Sequence, residues 1–142
     1  AAECQHMSAE YCATLDHKRP REGMSSISLT TDTSFLTAWT NDFGYKNIFS
    51  RQVLTLGENR DLLFCYSTSG NSENVCEAAK QAKEIGMKVV GFTGNHEEMA
   101  LESYCDLIFR SPSKETPLIQ EFHTIAGHEI CSIVENNIFF EK

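Results

Sequence analysis

Apolar positions along the chain fall into short runs that switch between helical and extended periodicity. Over residues 2–14 the side chains Cys4, Met7, Tyr11 and Leu15 recur at spacings of three and four, which predicts an amphipathic helix. Residues 25–31 alternate short polar and apolar side chains and read as a strand. Residues 33–40 and 47–56 return to helical spacing, the second with Ile48, Val53 and Leu56 apolar, and Asn41-Asp42-Phe43-Gly44 separates the two. Asp61-Leu62-Leu63-Phe64-Cys65-Tyr66 is a continuous apolar run of the kind expected for a strand buried on both faces of a parallel sheet. A helix over residues 72–85 follows, with a narrow stripe of Val75, Ala78, Ala79, Ala82 and Ile85 that lets it lie close on a sheet.

Gly86 stops that helix and residues 88–93 form the next strand, so the unit is βαβ with a right-handed crossover by default. A short helix is expected over residues 97–103 and a short strand over 106–110. A long C-terminal helix then starts with Thr116 as cap and Pro117 in its first turn. Its apolar face is Ile119, Phe122, His123, Ala126, Ile130, Ile133, Val134 and Ile138. Alternating strands and helices without internal repeats predict an open α/β parallel sheet flanked by helices.

Length changes this picture only by bounding it: 142 residues hold one domain with a real core. The formal charge of −8, from 20 acidic and 12 basic residues, argues against a nucleic-acid surface. The one basic cluster, His17-Lys18-Arg19-Pro20-Arg21, reads as a solvated loop. The 6 cysteines contain no Cys-x-x-Cys pair, and several fall inside apolar runs where they read as small core residues, which leads to the expectation of a reducing cytoplasm. No apolar run reaches membrane-spanning length, so no membrane role is expected. The segment Ala1-Ala2-Glu3-Cys4-Gln5-His6 reads as the interior of a helix, so further residues are expected to precede it.

Candidate chemistry starts at Ser67-Thr68-Ser69-Gly70-Asn71-Ser72, between a strand and a helix. In an open parallel sheet ligands bind at the carboxyl ends of strands. Here hydroxyls, a flexible Gly70 and the free N–H groups of the next helix can cradle an anion. The Gly-Lys-Ser/Thr ending of nucleotide loops and the spaced glycines of dinucleotide loops are both absent, which leaves a single phosphate monoester or an ordinary Ser-rich turn. His6 and Glu10 share a face one helical turn apart, and Gln120 and His128 lie eight residues apart on the last helix. Either pair alone also fits an ordinary surface. His17, His96 and His123 keep the bland reading of loop or core residues. A phosphate loop combined with a carboxylate and an imidazole has the groups that aldose–ketose isomerisation requires, although spacing does not show that they meet.

On these residues the chain resembles the sugar isomerase (SIS) domain family, and within it the phosphoheptose isomerases. The resemblance rests on Ala2 to Glu10 with its Gln-His-x-x-x-Glu core, Leu29-Thr30-Thr31-Asp32-Thr33-Ser34, Asn41-Asp42-Phe43-Gly44-Tyr45, Phe49-Ser50-Arg51-Gln52-Val53, Ser67 to Val75, Gly86-Met87-Lys88-Val89-Val90, Thr93-Gly94, and Ile119-Gln120-Glu121 with His123 and His128. It implies a three-layer, flavodoxin-like fold covering residues 1–142 as one SIS domain, with the family's leading helix and first strand missing. It also implies conversion of sedoheptulose 7-phosphate into glycero-manno-heptose 7-phosphate, for lipopolysaccharide or capsule heptose, by a cytoplasmic homotetramer.

By the same resemblance Ser67, Thr68, Ser69 and Ser72 hold the sugar phosphate and Asp42 contacts substrate hydroxyls. Glu10 is the enediol base, His128 the partner acid or base, and Gln120 assists. Zinc-binding relatives match here at His6, Glu10, Gln120 and His128, so metal and base roles compete for Glu10. The family's Gly-Asn-Gly-Gly-Ser segment is absent, Pro117 stands where a polar residue often meets substrate, and Asn95-His96-Glu97-Glu98 replaces a Gly-rich loop. The alternative is a non-catalytic SIS-domain interaction protein of the kind that associates with a replication initiator; such relatives typically lack the Glu and His pair. A sugar-responsive transcription regulator would need a helix-turn-helix segment that this acidic chain does not contain.

Overall fold

The structure, a computed structural model, describes residues 1–141. Its backbone falls into two compact units, one formed by Ala1–Thr31 with the chain from Glu121 onward, the other by Asp32–Gln120.

The second unit is built on three parallel strands, β1 (Leu62–Tyr66), β2 (Lys88–Thr93) and β3 (Leu107–Arg110), in the order β1-β2-β3. Leu62 pairs with Lys88 and Tyr66 with Phe92, and β3 joins with Val90 opposite Leu107 and Thr93 opposite Arg110. Val89, Gly91, Phe92 and Thr93 of the central strand are buried. In β1 only Cys65 is fully buried and Leu62 is exposed, so residues 61–66 do not form a strand covered on both faces. Their apolar run serves an aromatic cluster instead: Tyr66 stacks on Phe92 at 4.5 Å between centroids, and Phe64 and Phe109 lie tilted against the same ring.

Helix α4 (Glu73–Glu84) lies on β1 and β2 through Ala78, Ala79 and Ala82, as its small-residue stripe predicts. Helix α3 (Ser50–Leu56) packs on α4 and starts at Ser50 rather than residue 47, after a turn. Helix α2 (Thr33–Phe43) is capped by Asp32, whose carboxylate accepts the Phe35 N–H. It runs through the expected break at residues 41–43, where Phe35 stacks on Trp39 and Phe43 lies tilted against the same indole one turn further on; Gly44, with φ of 82°, ends it. The α-helix expected over 97–103 is a 3₁₀ turn over Ala100–Tyr104, because Met99 is held extended by hydrogen bonds from Asn71 on either side of it.

The first unit pairs α1 (Ala2–Cys12) with most of α5 (Thr116–Glu135), and a π-turn (Asn136–Phe140) follows α5. Met7, the buried residue of α1, sits over Gly127. A Cβ on Gly127 would come within 2.6 Å of Met7 Sδ, so a larger residue there would force the Met7 side chain to move. Buried positions on α5 are Ile119, His123, Gly127, Cys131 and Glu135, every fourth residue. Ile133 and Ile138, expected on that face, are exposed; Ile133 lies two residues, about 200° around the helix, from Cys131. The first i−4 hydrogen bond of α5 runs from Ile119 N–H to Glu115 O, so the cap position is Glu115 and Thr116 is already helical.

Residues 25–31 form no strand. Met24 N–H donates to Tyr11 O, Cys12 Sγ to Ser26 O, and Ser28 and Thr30 close a turn, so these groups are spent on α1 and local bonds rather than a ladder. Leu15 leaves the helix because its N–H donates to Glu135 Oε1 at 2.8 Å. Lys18 and Arg19 are exposed as expected, whereas Arg21 is not a solvated residue: its side chain is 1% exposed and pairs with Glu135 at 2.7 Å. Burial pushes the Glu135 carboxyl up, but the Leu15 N–H and the guanidinium outweigh it and hold the group below its ordinary value. No helix among the described residues is long and apolar enough to cross a membrane.

Asp106, at the start of β3, accepts from Lys83 Nζ at 2.9 Å, Val89 N–H at 2.9 Å and Lys88 Nζ at 3.0 Å. Lys83 first, then Val89 and Lys88, hold its carboxyl well below the usual range. A depressed folded value gives stability that is present above the unfolded value, near about 3.9, and is lost as pH falls through the folded one. The melting-temperature gap between the protein and Asp106→Asn is therefore expected to be largest near neutral pH and to shrink below about pH 4. Thermal unfolding across pH checks this, and a gap independent of pH would contradict it.

Candidate active site

In the first unit His6 and Glu10, one turn apart on α1, face His128 on α5. Gly127 brings α1 close to α5 at the residue before His128. His6 Nε2 lies 2.7 Å from His128 Nε2 and 3.9 Å from Glu10 Oε1, and the three ligating atoms all fall within 4.8 Å of one another. The imidazoles meet edge to face at 76°. Two ring nitrogens at this distance share one proton, donated by one ring and accepted by the other. Glu10 and His128 are half-buried and His6 is exposed, so the cluster is partly shielded and still reachable.

Two imidazole nitrogens and a carboxylate oxygen are a donor set that suits zinc. With the three ligand atoms within 4.8 Å of one another, the residues fit the ion. Gln120 lies eight residues before His128 on α5, exposed and within the second unit.

The phosphate-loop candidate lies in the second unit between β1 and α4. Ser67 continues the sheet by donating its N–H to Phe92 O, and Gly70 N–H closes a turn on Ser67 O at 3.0 Å. Gly70 has φ of 68°, and a Cβ there would strike Met99 side-chain atoms at 2.7 Å. Ser67 Oγ donates to Ser72 Oγ at 2.9 Å, which leaves the Ser72 proton for another acceptor, and Ser69 Oγ accepts the Asn71 N–H. The turn leaves the Thr68 and Ser69 amides without an acceptor among the described residues. The first amides of α4, Glu73 and Asn74, have no intrahelical partner. Hydroxyls and amides therefore converge where the helix dipole is positive.

Asn71 has a role that its loop position did not reveal. Its Nδ2 donates to Glu98 O at 2.9 Å and its Oδ1 accepts Ala100 N–H at 2.8 Å, which clasps the loop to the segment after β2. A short polar side chain beside a turn glycine, suited to bonding backbone, is the only sequence signal for it. His96, read as an ordinary loop residue, borders this loop: the point where a Cβ on Gly94 would sit is 2.8 Å from Thr68 O and 3.0 Å from His96 Nε2. Asp42 ends up exposed in the last turn of α2, where its carboxylate accepts from Asn41. Among the described residues no hydrogen bond joins it to residues 67–72. His123 is buried on α5, as a core residue.

Comparison with known proteins matches residues 1–94 to the SIS domain family. The phosphoheptose isomerase of Burkholderia pseudomallei (strain K96243) is 48% identical over 139 residues, 98% of this chain and 69% of that protein. The phosphoheptose isomerase of Clostridium acetobutylicum is 45% identical over 142 residues, 100% of this chain and 71% of that protein. Among solved structures, a phosphoheptose isomerase from Francisella tularensis superposes with a TM-score of 0.88 at 33% identity, over 95% of this chain and 71% of that one. The phosphoheptose isomerase from Neisseria gonorrhoeae superposes with a TM-score of 0.82 at 37% identity, over 95% and 70% of the two chains. With a parallel β/α core, a serine-rich loop at the end of β1 and a His–Glu–His cluster between helices from its two ends, the chain belongs to the SIS domain family and, within it, to the phosphoheptose isomerases.

Proposed function

We propose that the protein interconverts sedoheptulose 7-phosphate and glycero-manno-heptose 7-phosphate through an enediol. The observation that carries this reading is the convergence of Glu10 with His6 and His128. Glu10 takes a proton from C1 of the ketose and returns it to C2. His128 moves a proton from the C1 hydroxyl oxygen to the C2 oxygen, so the carbonyl passes from C2 to C1 without any net change in composition. The loop of Ser67, Thr68, Ser69 and Ser72 is assigned to the phosphate. Asp42 and Gln120 are assigned to substrate hydroxyls. The presence of Glu10 and His128 disfavours the non-catalytic, initiator-associating alternative.

His6, Glu10, Gln120 and His128 would hold a zinc ion, which when bound polarises the sugar oxygens as a Lewis acid. Glu10 has a second carboxylate oxygen with which to act on the carbon-bound proton. The finer reading is a cytoplasmic homotetramer that supplies heptose for lipopolysaccharide or capsule. Exposed Ile125 and Ile133 on α5 support the association.

In the intact protein, Glu10→Gln and His128→Ala are each expected to lower kcat by about a hundredfold or more with the melting temperature preserved. Full turnover in both variants would overturn the assignment. Gly70→Val forces a side chain into Met99 and a branched residue into positive φ, so it is expected to raise KM for the sugar phosphate more than it lowers kcat, as steady-state kinetics will read. Zinc content measured on the purified protein is expected to fall in His6→Ala, and equal content in parent and variant would remove His6 from the metal set.

A further inference from the structure

We infer that Arg21 is the positioning residue of the His6–Glu10–His128 centre, fixing α1 and α5 in the register that brings the imidazoles together. This rests on the reading of that cluster as the reacting centre.

The guanidinium is buried and spends its donors on both helices. Nη2 donates to Glu10 O at 3.0 Å and Nη1 to Tyr11 O at 2.8 Å, both carbonyls in the last turn of α1. Nη1 also donates to Glu22 O at 2.9 Å, and Nε to Glu135 Oε1 at 2.8 Å. Arg21 thus holds the backbone of Glu10 itself. Glu135 stands seven residues after His128 on α5, close to two full turns, so it lies nearly in line with that imidazole along the helix.

Two further contacts close the frame. Glu135 Oε1 accepts the Leu15 N–H at 2.8 Å, which ties the chain leaving α1 to the same carboxylate. The guanidinium also lies 5.3 Å from the Phe139 ring centroid, beyond the end of α5. A planar fork of fixed geometry can satisfy carbonyls on one side and a carboxylate on the other; a lysine ammonium keeps the charge but cannot span both. A positive charge at the C-terminus of α1 also suits its dipole. Met7 on Gly127 sets how close the helices come, and Arg21 sets how far they slide.

Arg21→Lys separates position from charge. With any bound metal removed by a chelator and without substrate, the Nε2 resonances of His6 and His128 in ¹⁵N NMR spectra report the hydrogen bond between them. They are expected to move toward those of uncoupled imidazoles in the variant. In kinetics, kcat is expected to fall about a hundredfold with KM for the sugar phosphate unchanged, as for an ångström-scale misplacement of reacting groups.

Coupled imidazole resonances and parental kcat in Arg21→Lys would overturn the inference, whatever the melting temperature. If that variant does not fold, Arg21→Met with Glu135→Leu removes both buried charges together and is expected to fold with the same spectral and kinetic losses. Recovery of parental coupling and kcat in the folded double variant would also overturn it. Because the resonances are read without turnover, a parent protein with coupled imidazoles and no isomerase activity would refute the proposed reaction and leave the positioning role standing.

Discussion

The close contact of α1 with α5 is the constraint on which the His6–Glu10–His128 cluster depends. Helices from the two ends of the chain can bring side chains together only if their backbones approach, and here Met7 fills the space that any side chain at position 127 would need. Nearby contacts enforce the same pairing. Thr124 Oγ1 donates to Glu3 Oε2 at 2.7 Å near the start of α1, and the buried Arg21–Glu135 pair joins the helices at the other end. Burial of such a pair costs desolvation energy, so its value lies less in stability than in allowing one alignment and penalising others. The 2.7 Å separation of His6 and His128 is a product of that alignment.

How much of this was legible in the sequence follows from what each signal measures. Periodicity located β2 at its observed ends and α4 within a residue of its own, because an apolar strand and an alanine stripe are local statements about one surface. It failed where partners decide. Residues 25–31 alternate like a strand, yet their groups bond to α1 and to local turns. The apolar run of β1 reads as doubly buried because sequence cannot say which strand is central. The three residues 97–99 read as helix until the Asn71 side chain, 26 residues or more away, takes the backbone there.

The candidate site shows the same division. His6 and Glu10 share a helix face by spacing alone, the serine loop stands out by its place between strand and helix, and resemblance supplied the role of His128, but none of these could state that three side chains meet within 4.8 Å. Arg21 was hidden inside a basic cluster that looked solvated. The clue lay at the far end of the chain: Gly127, Cys131 and Glu135 continue one buried rail, and a carboxylate on such a rail requires a cationic or hydrogen-bonding partner. A charge on an apolar stripe is thus informative about a partner distant in sequence, even when the partner's own neighbourhood is not.

The Asn71 clasp bears on what the loop can discriminate. Since its side chain fixes the turn from within the folded protein, the ordering cost of the loop is met during folding rather than on each encounter with an anion. A receptor prepared in this way recognises the end of a molecule and is indifferent to what is attached to it. Under the proposed function it can be kept unchanged while other parts of the protein diverge, so preference among phosphorylated sugars is free to evolve at the carbon end without rebuilding the handle for the phosphate.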